Sequence, residues 1–395
     1  MKKQQRSEAK AECASSAKDN TTWKDIDFHK CECKVRKLQI RIAKAHTGKR
    51  YNKVKALQFL LVTSFEAKAL AVRKVTSNKG KRTAGVDHIK WDTDARKIEA
   101  IRSLTRRGYK ALPLKRVNIP KTNGKTRPLG IPTMKDRAMQ ALYLMALEPI
   151  TENEADANSY GFRKFRSTAD AIDALHRWLS KDCSPEWILE GDIKGFFDNI
   201  NHDVLINILL ERIADERFIR LIRKFMKAGY IEDWQFHNTY SGTPQGGIIS
   251  PILANIYLDK LDKYIKEYTA KFDKGKKRKF SRESMDFGNA RKRIVRRLKF
   301  VKDERQRTKL ILELKAIEQG RAKYPNGEEM DADYRRMKYA RYADDFLVGI
   351  IGSKQDAQQI KEDIKNFLAD RLALELSDEK TLVTHTERPA KFLGY

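Results

Sequence analysis

In RYADDFLVGI, Arg341 to Ile350, two adjacent aspartates interrupt a strand-like run. The neighbours Tyr339, Tyr342, Phe346, Leu347, Val348 and Ile350 carry the aromatic and β-branched bias of a strand pair. An unpaired carboxylate buried there costs several kcal/mol, which a bound divalent cation would offset. WILEGDIKGFFDNI, Trp187 to Ile200, repeats the pattern: an apolar run ends on Asp192, and a glycine and two phenylalanines then lead into a helix-like segment. Three carboxylates delivered from two strands can hold a pair of Mg²⁺ ions about 3.5 to 4 Å apart, the arrangement that clamps attacking and leaving oxygens in phosphoryl transfer. The chemistry expected of Asp192, Asp344 and Asp345 is therefore phosphoryl transfer.

These carboxylates stand in an ordered set of motifs. PKTNGKTRPLGIPTMKDRAMQ (120 to 140), YGFRKFRST (160 to 168), the Asp192 segment, SGTPQGGIISPILANIYLD (241 to 259), YADD (342 to 345) and FLGY (392 to 395) follow one another along the chain. Together they resemble the reverse transcriptases encoded by group II introns, also called intron maturases, from about residue 30 to the end. The resemblance implies an α+β fold: right-hand polymerase fingers and palm, an antiparallel palm sheet backed by helices, and a helical N-terminal extension. With FLGY as the primer-gripping turn, it implies a chain cut short of a thumb.

The resemblance also implies roles. The metal set is Asp192, Ile193, Asp344 and Asp345, with two Mg²⁺ ions for which Mn²⁺ can substitute. Lys121 and Arg127 grip the triphosphate; from the residues alone they flank either a phosphate clamp or a solvated basic turn. Phe197, five residues after Asp192, bars a ribose 2′-hydroxyl, and Phe196 beside it is counted in the nucleotide set but packs inward. Gln245 reaches a base or sugar from a glycine-rich loop, and Lys380 is either a cation beside the leaving pyrophosphate or a surface lysine. Template and primer contacts fall to Arg163, Lys164, Arg166 and Gly394. The implied partners are an RNA template (intron RNA), a DNA primer and dNTPs, with no membrane and a homodimer left open. Two other readings use the same residues: an RNA-binding splicing cofactor, and a reverse transcriptase of a defence system or another retroelement.

Composition narrows the classes independently. A chain of 395 residues with 41% hydrophobic content can bury more than one core. A net charge of +29 exceeds what solubility requires and points to a polyanion. No apolar run approaches membrane-spanning length, and the N-terminus lacks an apolar signal core, so a cytoplasmic location is expected. Cys13, Cys31, Cys33 and Cys183 form no C-x-x-C pair. His29, Cys31 and Cys33 therefore lack a second ligand pair, and neither zinc nor a disulfide is expected.

The elements that must position these residues follow from periodicity. Residues 1–22 are expected to be a disordered tail, and 23–80 a basic helical extension of two amphipathic helices. The fingers span 81–186, with a hairpin from Leu112 to Pro132 and a helix from Asp136 that ends before Pro149. In YGFRKFRST the aromatics are either a stacking platform or core, and Ser167 or Thr168 caps the helix that follows. The palm with its nucleotide-site loop is 187–266, where Asp198 is expected to cap a helix. A basic helical insertion, read as a nucleic-acid contact, is 267–338, with a loop over Gly320 to Asp333. The rest of the palm is 339–395, with a helix at Lys354 to Leu372 and a strand at Lys380 to Thr384.

Overall fold

The computed structural model describes residues 22–120, 124, 126–180, 184–232, 235–243, 246–324, 327–328 and 331–394, with Arg127 as backbone only. Apart from Thr22, the expected tail lies outside the described residues. The chain divides into two compact units, one of Met1–Ala155 with Gly195–Tyr257, the other of Asp156–Lys194 with Leu258–Tyr395.

The first unit begins with α1 (Phe28–Thr47), α2 (Tyr51–Thr63) and α3 (Phe65–Ser77). Three helices stand where two were expected, because Ser64 breaks the second. Its backbone is extended at φ −68° and ψ 143°, and its side chain accepts from Ala67 N, so it caps α3 while ending α2. After α4 (Asp94–Ser103), β1 (Leu114–Pro120) and β2 (Thr126–Ile131) form the expected hairpin.

The helix after the hairpin, α5 (Met134–Glu154), runs through Pro149 instead of ending before it. Proline removes the N–H that would bond the carbonyl of Met145. That carbonyl accepts instead from Gln39 Nε2 of α1 at 2.9 Å, and burial of Ile150 and Thr151 holds the last turn in place.

The remaining helices of this unit are α7 (Phe196–Asn199), α8 (His202–Arg212) and α9 (Glu216–Met226). The cap of α8 is Asn201, which accepts from Asp203 N and Val204 N; Asp198 lies inside α7. Phe218 and Phe225 of α9 pack on Tyr143 of α5, with ring centroids at 4.5 and 6.0 Å. The unit's sheet has the order β2-β1-β4-β5, where β4 is Tyr230–Glu232 and β5 is Gln235–His237, and β1 pairs with β4 in parallel.

The second unit is built on a sheet in which every neighbour is antiparallel. Its order is β6-β7-β3-β8, with β3 at Trp187–Asp192, β6 at Arg336–Tyr342, β7 at Asp345–Ile351 and β8 at Val383–His385. The last strand starts later than expected, because Ser377 to Lys380 close a turn through Lys380 N and Ser377 O. Apolar side chains from α6 (Thr168–Leu179) and α13 (Lys354–Leu372) are buried in this unit, and Ser167 caps α6 in a reciprocal box with Asp170. Tyr160, Ile188, Leu347 and Phe392 of FLGY share one buried cluster.

α10 (Ser250–Phe272) leads towards the insertion, which is a helical pair, α11 (Arg282–Leu298) and α12 (Glu304–Arg321). The pair buries little: Ser284 and Ile294 in α11, and nothing in α12. No helix among the described residues is long and apolar enough to cross a membrane.

Candidate active site

The three aspartates lie at one end of the second unit's sheet. β3 and β7 pair so that Asp192 stands directly opposite Asp345, and Asp344 precedes Asp345 in the turn. The residue before Asp192 has to be glycine. Gly191 faces Phe346, and a Cβ there would lie 2.1 Å from the phenyl ring. Burial, then the like charges of Asp344 and Asp192, then a hydrogen bond with Asp192 push the Asp345 carboxyl up to about 6, with Lys380 pulling the other way. Lys380 Nζ lies 3.1 Å from both oxygens of Asp192.

The turn that carries Asp344 is tight. Tyr342 pairs with Asp345, leaving a two-residue loop, Ala343-Asp344, in which Ala343 has φ +59°. That left-handed conformation costs a residue with a Cβ roughly 1–2 kcal/mol. Behind the turn lies Arg341, 1% exposed. Its Nη1 donates to Ala343 O at 2.8 Å, Nη2 to Ser159 Oγ at 2.8 Å, and Nε and Nη2 to the two oxygens of Asp262 at 2.7 and 2.5 Å. Burial opposes the Arg341 charge, but the Asp262 carboxylate outweighs it and raises the guanidinium's pKa.

In the first unit, two of the sequence motifs are joined through their backbones. Thr243 N donates to Phe197 O at 2.7 Å, Gly242 N to Ile200 O at 2.8 Å, and Ser241 Oγ to Asp198 O at 3.0 Å. Gly242 has φ +85°, and a Cβ on it would lie 2.8 Å from the carbonyls of Phe197 and Asp198, so only glycine allows this approach. Beside this junction is a cavity of about 500 Å³ lined by Arg116, Pro128, Asp198, Tyr240 and Thr243 among others. The Thr243 hydroxyl there is buried, with no hydrogen-bond partner among the described residues.

Comparison with known proteins identifies this arrangement. The family described as "Reverse transcriptase (RNA-dependent DNA polymerase)" matches residues 119–286 and 320–395, and the "N-terminal domain of reverse transcriptase" matches residues 23–104. The chain belongs to the reverse transcriptase family. It is 42% identical over 329 residues to the group II intron-encoded protein LtrA of Lactococcus lactis subsp. cremoris, covering 82% of this chain and 54% of LtrA. It is 36% identical over 345 residues to protein YkfC of Escherichia coli (strain K12), covering 85% of this chain and 81% of YkfC. The chain thus spans about half the length of LtrA. Among solved structures, a telomerase from Candida albicans aligns with a TM-score of 0.42 and 12% identity, covering 73% of this chain and 44% of that one.

The family implies dependence on a divalent metal, and the three carboxylates have the donor chemistry for one. The donors are all oxygen, as a hard cation requires. Asp345 is raised by burial first and then by the negative charge of Asp344 and Asp192, both of which a cation would offset. Among the described residues no three acidic, His or Cys side chains form a ready metal cage. Asp192 is instead engaged by Lys380 and by its hydrogen bond with Asp345. Ile193 is 1% exposed and bridges to Leu376, so only its backbone could join a metal set.

The other predicted site residues fall as follows. Lys121 and Gln245 lie outside the described residues, as does the Arg127 side chain, whose backbone pairs with Ile119. Phe196 is 1% exposed and packs against Tyr257 and Phe197, so it is core and leaves the nucleotide set; Phe197 is half-buried. In YGFRKFRST the aromatics split: Tyr160 is core while Phe162 and Phe165 are exposed, with φ of +58° and +60°. Arg163 Nη1 donates to the carbonyls of Asp156 and Ser159, Arg166 lies over the Tyr160 ring, and Lys164 is exposed. Gly394 is exposed with φ +88°. Sequence reasoning missed Arg341, Asp262 and Thr243. A signal existed for the first, because an arginine at the inward phase of an apolar strand needs a buried acid.

Proposed function

We propose that this chain is the fingers and palm of an RNA-directed DNA polymerase encoded by a group II intron, adding dNTPs to a primer 3′-hydroxyl on an RNA template in the cytoplasm. The observation that carries the reading is the register of β3 against β7, which sets Asp192 opposite Asp345 with Asp344 beside it. Asp192, Asp344 and Asp345, with the Ile193 carbonyl, would hold two Mg²⁺ ions, which when bound lower the pKa of the primer hydroxyl and neutralise charge on the triphosphate.

The chain's own residues supply the positioning on which phosphoryl transfer depends. Arg127 and Lys121 hold triphosphate oxygens, Arg127 through its planar fork. Gln245 bonds the base or sugar, and the Phe197 ring excludes a 2′-hydroxyl. Lys380, whose Nζ lies 3.1 Å from Asp192 Oδ1, is in this reading the proton donor to the departing pyrophosphate. Arg163, Lys164, Arg166 and Gly394 hold template and primer. The same basic surface would bind intron RNA and so assist splicing, a role supported by the net charge of +29.

The test is extension of a DNA primer on an RNA template with Mg²⁺. Asp344→Asn should lose extension while binding the template as the unsubstituted protein does. Normal extension by Asp344→Asn would refute the polymerase. Absence of extension by the unsubstituted chain, with tight salt-resistant binding of one RNA, would favour a splicing cofactor alone.

A further inference from the structure

We infer that Arg341 is a positioning residue: its guanidinium, locked by Asp262, fixes the strained turn that presents Asp344 and Asp345. The inference rests on the metal-site reading above and adds a part which that reading does not contain.

Four observations converge on the role. Ala343 sits in a left-handed conformation without being glycine, so the turn needs something to hold it there. The bond from Arg341 Nη1 to Ala343 O restrains that residue's own carbonyl. The guanidinium cannot swing, because three further bonds tie it to both oxygens of Asp262 and to Ser159. Asp262 is steadied in turn by the Tyr339 hydroxyl at 2.9 Å.

The backbone adds a second restraint. Arg341 N donates to Asn158 O at 2.9 Å and Tyr160 N to Arg341 O at 2.8 Å, so 158–160 runs alongside β6. Gly161 then abuts the turn so closely that a Cβ on it would lie 2.2 Å from Ala343 N. The glycine of the YGF motif and the arginine before YADD therefore restrain the two peptides that flank Ala343, one at its N and the other at its O. A buried ion pair serving stability alone would need neither the bond to Ala343 nor the contact with Gly161.

Arg341→Lys separates the two roles. A lysine keeps the charge opposite Asp262, but one ammonium cannot replace the fork that reaches Asp262, Ser159 and Ala343 together. The readout is Mn²⁺ binding to the protein without nucleic acid, followed by electron paramagnetic resonance, alongside melting temperature and the kcat and KM of primer extension. Arg341→Lys should melt below the unsubstituted protein yet stay folded at the assay temperature, bind Mn²⁺ about tenfold more weakly and lose at least about tenfold in kcat with KM for the template-primer unchanged. Gly161→Ala should lower Mn²⁺ affinity and kcat in the same way without altering any charge, at a lower melting temperature because its Cβ must displace the Ala343 backbone, and it decides the matter if Arg341→Lys fails to fold. A folded variant with unchanged Mn²⁺ affinity and kcat overturns the positioning role. Asp344→Asn is the control: if it binds Mn²⁺ normally, the metal-site reading falls. If it loses Mn²⁺ while Arg341→Lys and Gly161→Ala keep it, the positioning role alone falls.

Discussion

Phe196 and Phe197 are adjacent and chemically identical, yet their surroundings give them different work. Phe196 is sealed against Tyr257, whereas Phe197 keeps part of its ring open and has its carbonyl bonded by the loop that leads to Gln245. Removing the second ring should therefore open space for a ribose 2′-hydroxyl without emptying the core. Phe197→Ala is expected to raise the relative kcat/KM for ribonucleotides by roughly 10- to 100-fold, measured by competing rNTPs against dNTPs. Phe196→Ala should cost stability instead, about 3–5 kcal/mol, in thermal or urea unfolding. Unchanged sugar discrimination in Phe197→Ala would remove it from the gate. The convergence of Asp192 with Asp345 was legible because carboxylates ending apolar runs have few places to go other than a shared sheet end. The strand's phase signals that Arg341 is buried and needs an acid, but not which acid or that the pair clamps the turn. Asp262 lies 79 residues away on a helix, and no local pattern announces that pairing.

At the scale of elements, α5 departs most instructively from its sequence. A proline three-quarters of the way along should stop a helix, and in isolation it would. Here the orphaned carbonyl of Met145 has been supplied with a donor by α1, so the cost of the missing bond is met by a side chain 106 residues away. Gln39→Ala should then destabilise the protein by about 1–3 kcal/mol, since it leaves that carbonyl without a partner. Placing Gln39→Ala in a Pro149→Ala background should reduce the effect by more than half, because an alanine in place of the proline restores the N–H. Equal losses in both backgrounds, measured by urea unfolding as a double-mutant cycle, would show that Gln39 acts through packing alone. The break at Ser64 was hidden for a related reason. The apolar spacing of α2 continues in phase into α3, and only the cap geometry reveals two helices.

At the scale of the whole molecule, charge is the property most directly read from the sequence and the one with the broadest consequence. A protein carrying +29 should release counterions whenever it binds RNA, so affinity must fall steeply as salt rises. The structure indicates where to look for the contacts. α11 and α12 bury almost no side chains, and the bend between them exposes Phe300 (84%) among Arg296, Arg297, Lys299 and Lys302, all exposed. A helical pair with so little core has no packing reason to concentrate cations at its tip. If all four touch phosphates, replacing them together with Gln should lower the magnitude of the slope of log K against log salt by about 3 for single-stranded RNA. Melting temperature should barely change, because none of the four is buried. An unchanged slope would mean the bend stays off the RNA and that the salt dependence arises elsewhere on the chain.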